Sequence, residues 1–179
     1  MKPAIDSARR IVVRPVDLAY VRRGEGPSGG ALPPLFVLGQ GGGTLLLRFA
    51  VNFSSAANIV EAYVVLRRSD VVDDDPAPIV LHATRIVEPW AGRSTSWALQ
   101  PQMQELRTPS TTVEPSGPGL VRLDVRDLVR QWGRHDPTDQ GIGIIAETES
   151  RTGTSFALAS GGSGGRTEDV EPYLEVYVR

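Results

Sequence analysis

Residues 44–53 constrain the fold more tightly than any other stretch. Leu45, Leu47, Phe49, Val51 and Phe53 fall on one side of an extended chain, and Leu46, Arg48, Ala50 and Asn52 on the other. A period of two is that of a strand with one buried face, and it turns the first set inward. Residues 59–68 repeat the pattern, with Val60, Ala62, Val64 and Leu66 set against Glu61, Tyr63, Val65 and Arg67. A turn-like Ser54-Ser55-Ala56-Ala57-Asn58 joins the two, so they are expected to pair as neighbours.

Short β-rich runs separated by Gly, Pro, Ser and Asp continue along the chain, which is the spacing of a sandwich or barrel. Residues 79–87, 120–125, 141–147, 155–159 and 173–178 read as strands. The N-terminal third has strand character at 11–13, 18–21 and 35–38 and is assigned two strands, one broken at Pro15. Residues 71–78 carry three successive carboxylates and two prolines, which suit an exposed connection better than an interior strand. From Glu88-Pro89-Trp90 to Gly119 the chain is polar and proline-rich, and it is expected to be irregular with at most a helical turn at 96–103. One short helix is expected near residues 125–132. There Val125, Leu128, Val129 and Trp132 recur at i, i+3, i+4 and i+7 between an Asp124 cap and Gly133. Gly161-Gly162-Ser163-Gly164-Gly165 reads as a flexible loop.

The fold class is therefore all-β, an antiparallel β-sandwich forming one domain over residues 1–179, with a less regular segment at 1–10. Hydrophobic residues make up 40% of the 179 and charged residues 22%, a composition that supports a packed core without disulfides or metal. The absence of cysteine excludes disulfides, thiolate metal sites and cysteine nucleophiles together. Asp6, Arg9 and Arg10 interrupt the region where a secretory signal needs an apolar run. Cytoplasmic synthesis of a soluble protein is expected, with an extracellular or particle-associated destination left open. No apolar run is long enough to span a bilayer, so membrane insertion is not expected. Nineteen basic residues against 21 acidic give a net charge of −2, with arginine spread throughout, which makes nucleic acid a poor partner.

Candidate chemistry is sparse. His82 falls inside an expected strand and His135 in a polar turn, so nothing brings them together as acid and base. Asp73, Asp74 and Asp75 offer oxygen ligands for calcium, yet they lack the spacing of an EF-hand loop and read as a solvated turn. Glu147 and Glu149 share a strand face without the cleft a glycosidase pair requires. Gly39-Gln40-Gly41-Gly42-Gly43 leads into a strand, not a helix, and so lacks the helix N-terminus of a phosphate loop. It is read as a tight strand connection. No cofactor is implied by these motifs.

The three tryptophans say more, because an aromatic face can stack on a sugar as well as fill a core. Trp132 lies on the helix's apolar stripe, and Trp90, after Pro89, is expected to plug the sandwich end. Trp97 follows the polar run Arg93-Ser94-Thr95-Ser96 and is the one least committed to a core. A ligand platform is therefore sought at Trp97 with Arg93, and with Gln100 or Gln102 beside them.

Several motifs recur in a telling order: Leu46-Leu47-Arg48-Phe49, Glu61-Ala62-Tyr63-Val64, Arg85-Ile86-Val87-Glu88-Pro89-Trp90, the run from Asp124 to Trp132, a glycine-led strand at Gly141, and Pro172-Tyr173-Leu174. The series resembles the DNRLRE domain family across about residues 11–179. The resemblance implies a jelly-roll-like β-sandwich allied to certain carbohydrate-binding modules. It also implies an accessory role without catalysis, with acidic polysaccharide bound in some relatives. Ala50 departs from the family, which often carries Asp after the Arg-Phe pair. The expected role is a non-catalytic structural or interaction module, an accessory subunit of a larger assembly that meets a protein partner or copies of itself. The alternative is a carbohydrate-binding module recognising a polysaccharide through an aromatic and basic surface.

Overall fold

The computed structural model describes residues 8–27, 29, 32–40, 42–53, 58–69, 77–105, 109–116, 119–132, 139–147, 152–158 and 171–179. Within them the chain forms strands β1 (Arg9–Val13), β2 (Pro15–Val21), β3 (Leu35–Gly39), β4 (Thr44–Phe49), β5 (Ile59–Arg67), β6 (Ile79–Ile86), β7 (Met103–Glu105), β8 (Thr111–Val113) and β9 (Leu120–Asp124). Helix α1 (Arg126–Trp132) follows, then β10 (Ile142–Ala146), β11 (Gly153–Ala157) and β12 (Tyr173–Val178). Sheet A has the order β1-β12-β5-β9. Sheet B runs β2-β4-β10-β6-β7 with β8 also on β6, and β11 and β3 form a separate ribbon. Every one of these pairings is antiparallel.

The pairs β1–β12, β3–β11, β4–β10, β5–β9 and β6–β8 nest one inside the next along the chain. That is the path of one long hairpin rolled into two layers, a jelly-roll-like sandwich. Rolling separates β4 from β5. Although consecutive, they lie in sheets B and A respectively, and the expectation that they pair is corrected. The N-terminal stretch holds three strands where two were expected, one of them broken at Pro15: the break is there, and it separates two strands of different sheets. The chain leaves sheet A at Val13 and enters sheet B at Pro15, and the fixed φ of proline suits that change of direction. Strands β7 and β8, three residues each, arise in a stretch read as irregular. They are too short to show a period, and their pairing is decided by β6.

The core lies between the layers. Ala62, Val64, Leu66, Leu123, Leu174 and Val176 of sheet A meet Leu45, Leu47, Phe49, Leu81, Ile142 and Ile144 of sheet B. Phe36 and Phe156 of the ribbon stack with centroids 5.3 Å apart at the ribbon's side of this core. Val51 and Phe53, beyond the end of β4, pack on it half-buried. The period of β5 slips at its start. A register shift against Tyr177 and Val178 places Ile59 in the core where Val60 was expected. Helix α1 begins with the Asp124 carboxylate accepting the Arg126 N–H at 2.9 Å, and it buries Leu128 and Val129, with Val125 buried just ahead of its first turn. Trp132 is half-buried near Phe49, with ring centroids 6.3 Å apart.

Strand β4 is covered on its other face as well. Leu46 is fully buried among Ala19, Val21, Ile86 and Trp90, with Trp97 and Met103 packed around them. Replacing Leu46 with Ala is accordingly expected to lower the unfolding free energy by about 2–4 kcal/mol in urea titrations. A solvent-facing leucine would lose no more than about 0.5 kcal/mol.

On the outward face of sheet A, Glu175 is only 1% exposed, although it stands on a central strand between Val12 and Tyr63. The Arg10 Nε donates to one carboxylate oxygen, joined by the Tyr177 hydroxyl at 3.1 Å, and the Arg122 Nε donates to the other at 3.1 Å. Burial pushes the carboxyl pKa up, but these three donors together outweigh it and hold it below its ordinary value of 4.5. A depressed folded-state pKa gives stability that is complete above the unfolded value and is lost as pH falls through the folded one. Urea midpoints should therefore decline below about pH 4.5, and Glu175→Gln should remove part of that decline.

Candidate functional site

Segment 87–102 lies over the outward face of sheet B and is held at both its base and its centre. At the base, Val87 N–H donates to the Gln102 carbonyl at 3.0 Å, and Gln102 N–H to the Glu88 carboxylate at 2.8 Å. At the centre, the Arg48 guanidinium donates to the Trp90 carbonyl at 2.7 Å and to Asp17 at 3.0 Å, and it stacks over the Trp90 ring at 5.3 Å. Asp17 also accepts the Gly92 N–H at 3.0 Å, and a Cβ on Gly92 would come within 2.5 Å of both the Asp17 side chain and the Leu18 carbonyl. The Trp90 indole N–H donates to the Gln140 carbonyl at 2.8 Å. Arginine suits this post because one planar fork can serve a carbonyl, a carboxylate and an aromatic face at once.

Beyond this clamp the segment passes through the buried Thr95 and Ser96, between two turns, and presents Trp97 at the end of sheet B. There β2 finishes, β4 begins and β10 finishes, and an open groove of about 770 Å³ lies beside them. Trp97, Arg22 and Arg23 line it. Gly39, Gln40, Gly42 and Gly43 bound it on the β3–β4 connection, and Ile145 and Glu147 on β10 and its end. The glycines are structural in a specific way: Gly39 holds φ +102°, and a Cβ at Gly43 would stand 1.9 Å from the Val21 carbonyl oxygen. Only a backbone without side chains brings β3, β2 and β4 this close.

The electrostatics mix both signs. Arg22 lies 3.4 Å from Glu25, while Glu147 lies 3.0 Å from the His82 Nε2 across neighbouring strands β10 and β6. An indole face, guanidinium donors, a carboxylate and backbone carbonyls form a surface able to stack on and hydrogen-bond a polar ligand. Among the described residues, no cluster of three or more His, Asp or Glu side chains is placed to hold a metal ion.

The residues singled out in the sequence separate here. Trp97 lines the groove, half-buried, with its apolar edge on the cluster under Trp90. Arg93 is exposed and is not among the described groove residues. Gln100 donates its side-chain amide to the Trp97 main-chain carbonyl at 3.1 Å and so ties down the turn that carries Trp97, and Gln102 serves the base of the segment. Trp90 covers the outside of sheet B instead of plugging the sandwich end. Asp73, Asp74, Asp75, His135, Glu149, Gly133 and residues 161–165 lie outside the described residues. Arg22 and Arg23 carry no local signal of a site in the sequence, because two arginines after a strand do not announce the groove that the fold builds beside them.

The chain matches no protein-family model and no curated protein. Among the described residues no helix is long and apolar enough to cross a membrane.

The close approach at the groove floor has a direct consequence. Gly43→Ala should destabilise the protein by about 1–3 kcal/mol through forced separation of strand ends. Gly26→Ala, where a Cβ meets nothing within 4 Å, should leave the thermal midpoint unchanged within error.

Proposed function

We propose that this chain is a non-catalytic interaction module, an accessory component of a larger assembly. The observation that carries this reading is the groove beside Trp97. It is open and pre-formed, it is held in shape by the Arg48 clamp and the glycine connection, and it is lined for recognition. The jelly-roll-like order is also the one implied by the resemblance to DNRLRE domains, and it supports an accessory role without specifying a partner. His82 and Glu147 pair with one another at the rim of the groove, and the reading gives them a structural role.

A second reading, polysaccharide recognition, is favoured by one observation: Trp97, Arg22 and Arg23 line the same groove. A ring face for stacking and guanidinium donors for hydroxyl or carboxylate groups is a pairing that suits a sugar chain.

Two measurements test these readings. Light scattering on size-separated protein, followed by recovery of a defined complex from native lysate, is expected to reveal an assembly. A partnerless monomer throughout would count against the first reading. Glycan-array screening of the wild type and Trp97→Ala is expected to show binding lost in the variant if a sugar occupies the groove, and silence of both removes the second.

A further inference from the structure

The opposite side of the molecule carries a surface of different character. Register places Arg10 beside Tyr177, Glu175 between Val12 and Tyr63, and Val65 between Tyr173 and Arg122, all on the outward face of sheet A. Arg14, one residue past β1, stacks its guanidinium over the Tyr173 ring at 5.3 Å. With the exposed Arg67, which follows Tyr63 and Val65 in the alternation of β5, four arginines and three tyrosines thus share one sheet face.

The acids of this face are already engaged or peripheral. Glu175 is buried and bonded to both Arg10 and Arg122, and the Asp124 carboxylate caps α1. Glu61 lies at the margin, opposite Tyr177. Arg10 and Arg122 come from the two edge strands of the sheet and reach inward to the same carboxylate, each through Nε. Their side chains remain 51% and 44% exposed. The buried carboxylate therefore fixes two guanidiniums in place while leaving their outer edges toward solvent. Fixing them removes much of the conformational entropy that an arginine ordinarily loses on binding. With Arg67 counted, four arginines stand against Glu61, Asp124 and Glu175, which leaves this face one positive charge in excess on a chain whose overall charge is −2.

We propose that the outward face of sheet A is a docking surface for an acidic polypeptide segment of a partner protein, whose Asp and Glu carboxylates meet Arg10, Arg14 and Arg122. Charge complementarity selects an anion, and the planar guanidinium matches carboxylate oxygens in pairs. Tyrosine with arginine is the composition that concentrates binding energy in protein interfaces. This surface deepens the interaction-module reading and is separate from the Trp97 groove.

Fluorescent poly-L-glutamate is the probe, titrated against the full chain at low and high salt, with polygalacturonate in a parallel titration. Wild type should bind poly-L-glutamate, and more weakly as salt rises. The triple variant Arg10→Gln, Glu175→Gln, Arg122→Gln removes the buried charge together with its partners and so should stay folded. It should bind about tenfold or more weakly, while Trp97→Ala binds as wild type does. Should the triple variant unfold, Arg14→Glu, which leaves the Glu175 cluster intact, should weaken binding in the same direction. The proposal is overturned by no binding of poly-L-glutamate to wild type, by equal binding to the folded triple variant or to Arg14→Glu, or by binding of polygalacturonate alone. None of these results would alter the outcome of the Trp97 glycan test, so the two surfaces stand or fall separately.

Discussion

Burial of β4 on both faces is the constraint around which the rest of the molecule is arranged. Leu45 and Leu47 face the core between the sheets, while Leu46, one residue between them, faces away from it and is equally buried. A sheet in a two-layer sandwich normally leaves its outer face to water. Here segment 87–102 supplies a partial third layer, and Arg48, on the same face as Leu46, anchors it through the Trp90 carbonyl, the Trp90 ring and Asp17. The clamp is polar and the surface it secures is apolar. Removing the hydrogen bonds would therefore uncover hydrophobic area as well as leave charged groups without partners.

The rolled-hairpin path explains why the groove lies where it does. Nesting β3–β11 between β1–β12 and β4–β10 brings the β3–β4 connection against the end of sheet B, beside the last residues of β2 and β10. The same path delivers segment 87–102 to that end with Trp97 at its tip. The groove is thus a product of four separate chain segments, and its walls are set by contacts made for packing. Gly43 shows the coupling most directly, since the closeness of Val21 that forbids a side chain there also shapes the groove's floor.

The two outward faces solve the problem of exposure differently. Sheet B covers its face with chain, whereas sheet A covers its own with long side chains whose aliphatic and aromatic parts shield the strands and whose polar ends remain in water. Glu175 makes the second solution work. A lone buried carboxylate would be unfavourable, but with Arg10, Arg122 and Tyr177 bonded to it the charge is compensated and the arginines are held across the sheet. An acid in an otherwise outward row of Tyr173, Glu175 and Tyr177 looks solvated in the sequence, because alternation reports which face a residue is on and not what lies over that face.

Local periodicity by itself determined the all-β class, the inward sets of β4 and of most of β5, the position and buried stripe of α1, and the exact span of β12. Each of these rests on neighbours within one element, where a period of two or of 3.6 is written directly in the residue order. The pairing of strands, the division of the N-terminal third between two sheets, the burial of Leu46, and the meeting of Trp97 with Arg22 and Arg23 instead of Arg93 were decided only by tertiary structure. These contacts join residues far apart in the chain, and their free energy comes from surface removed from water when the layers close, a quantity that no single segment carries.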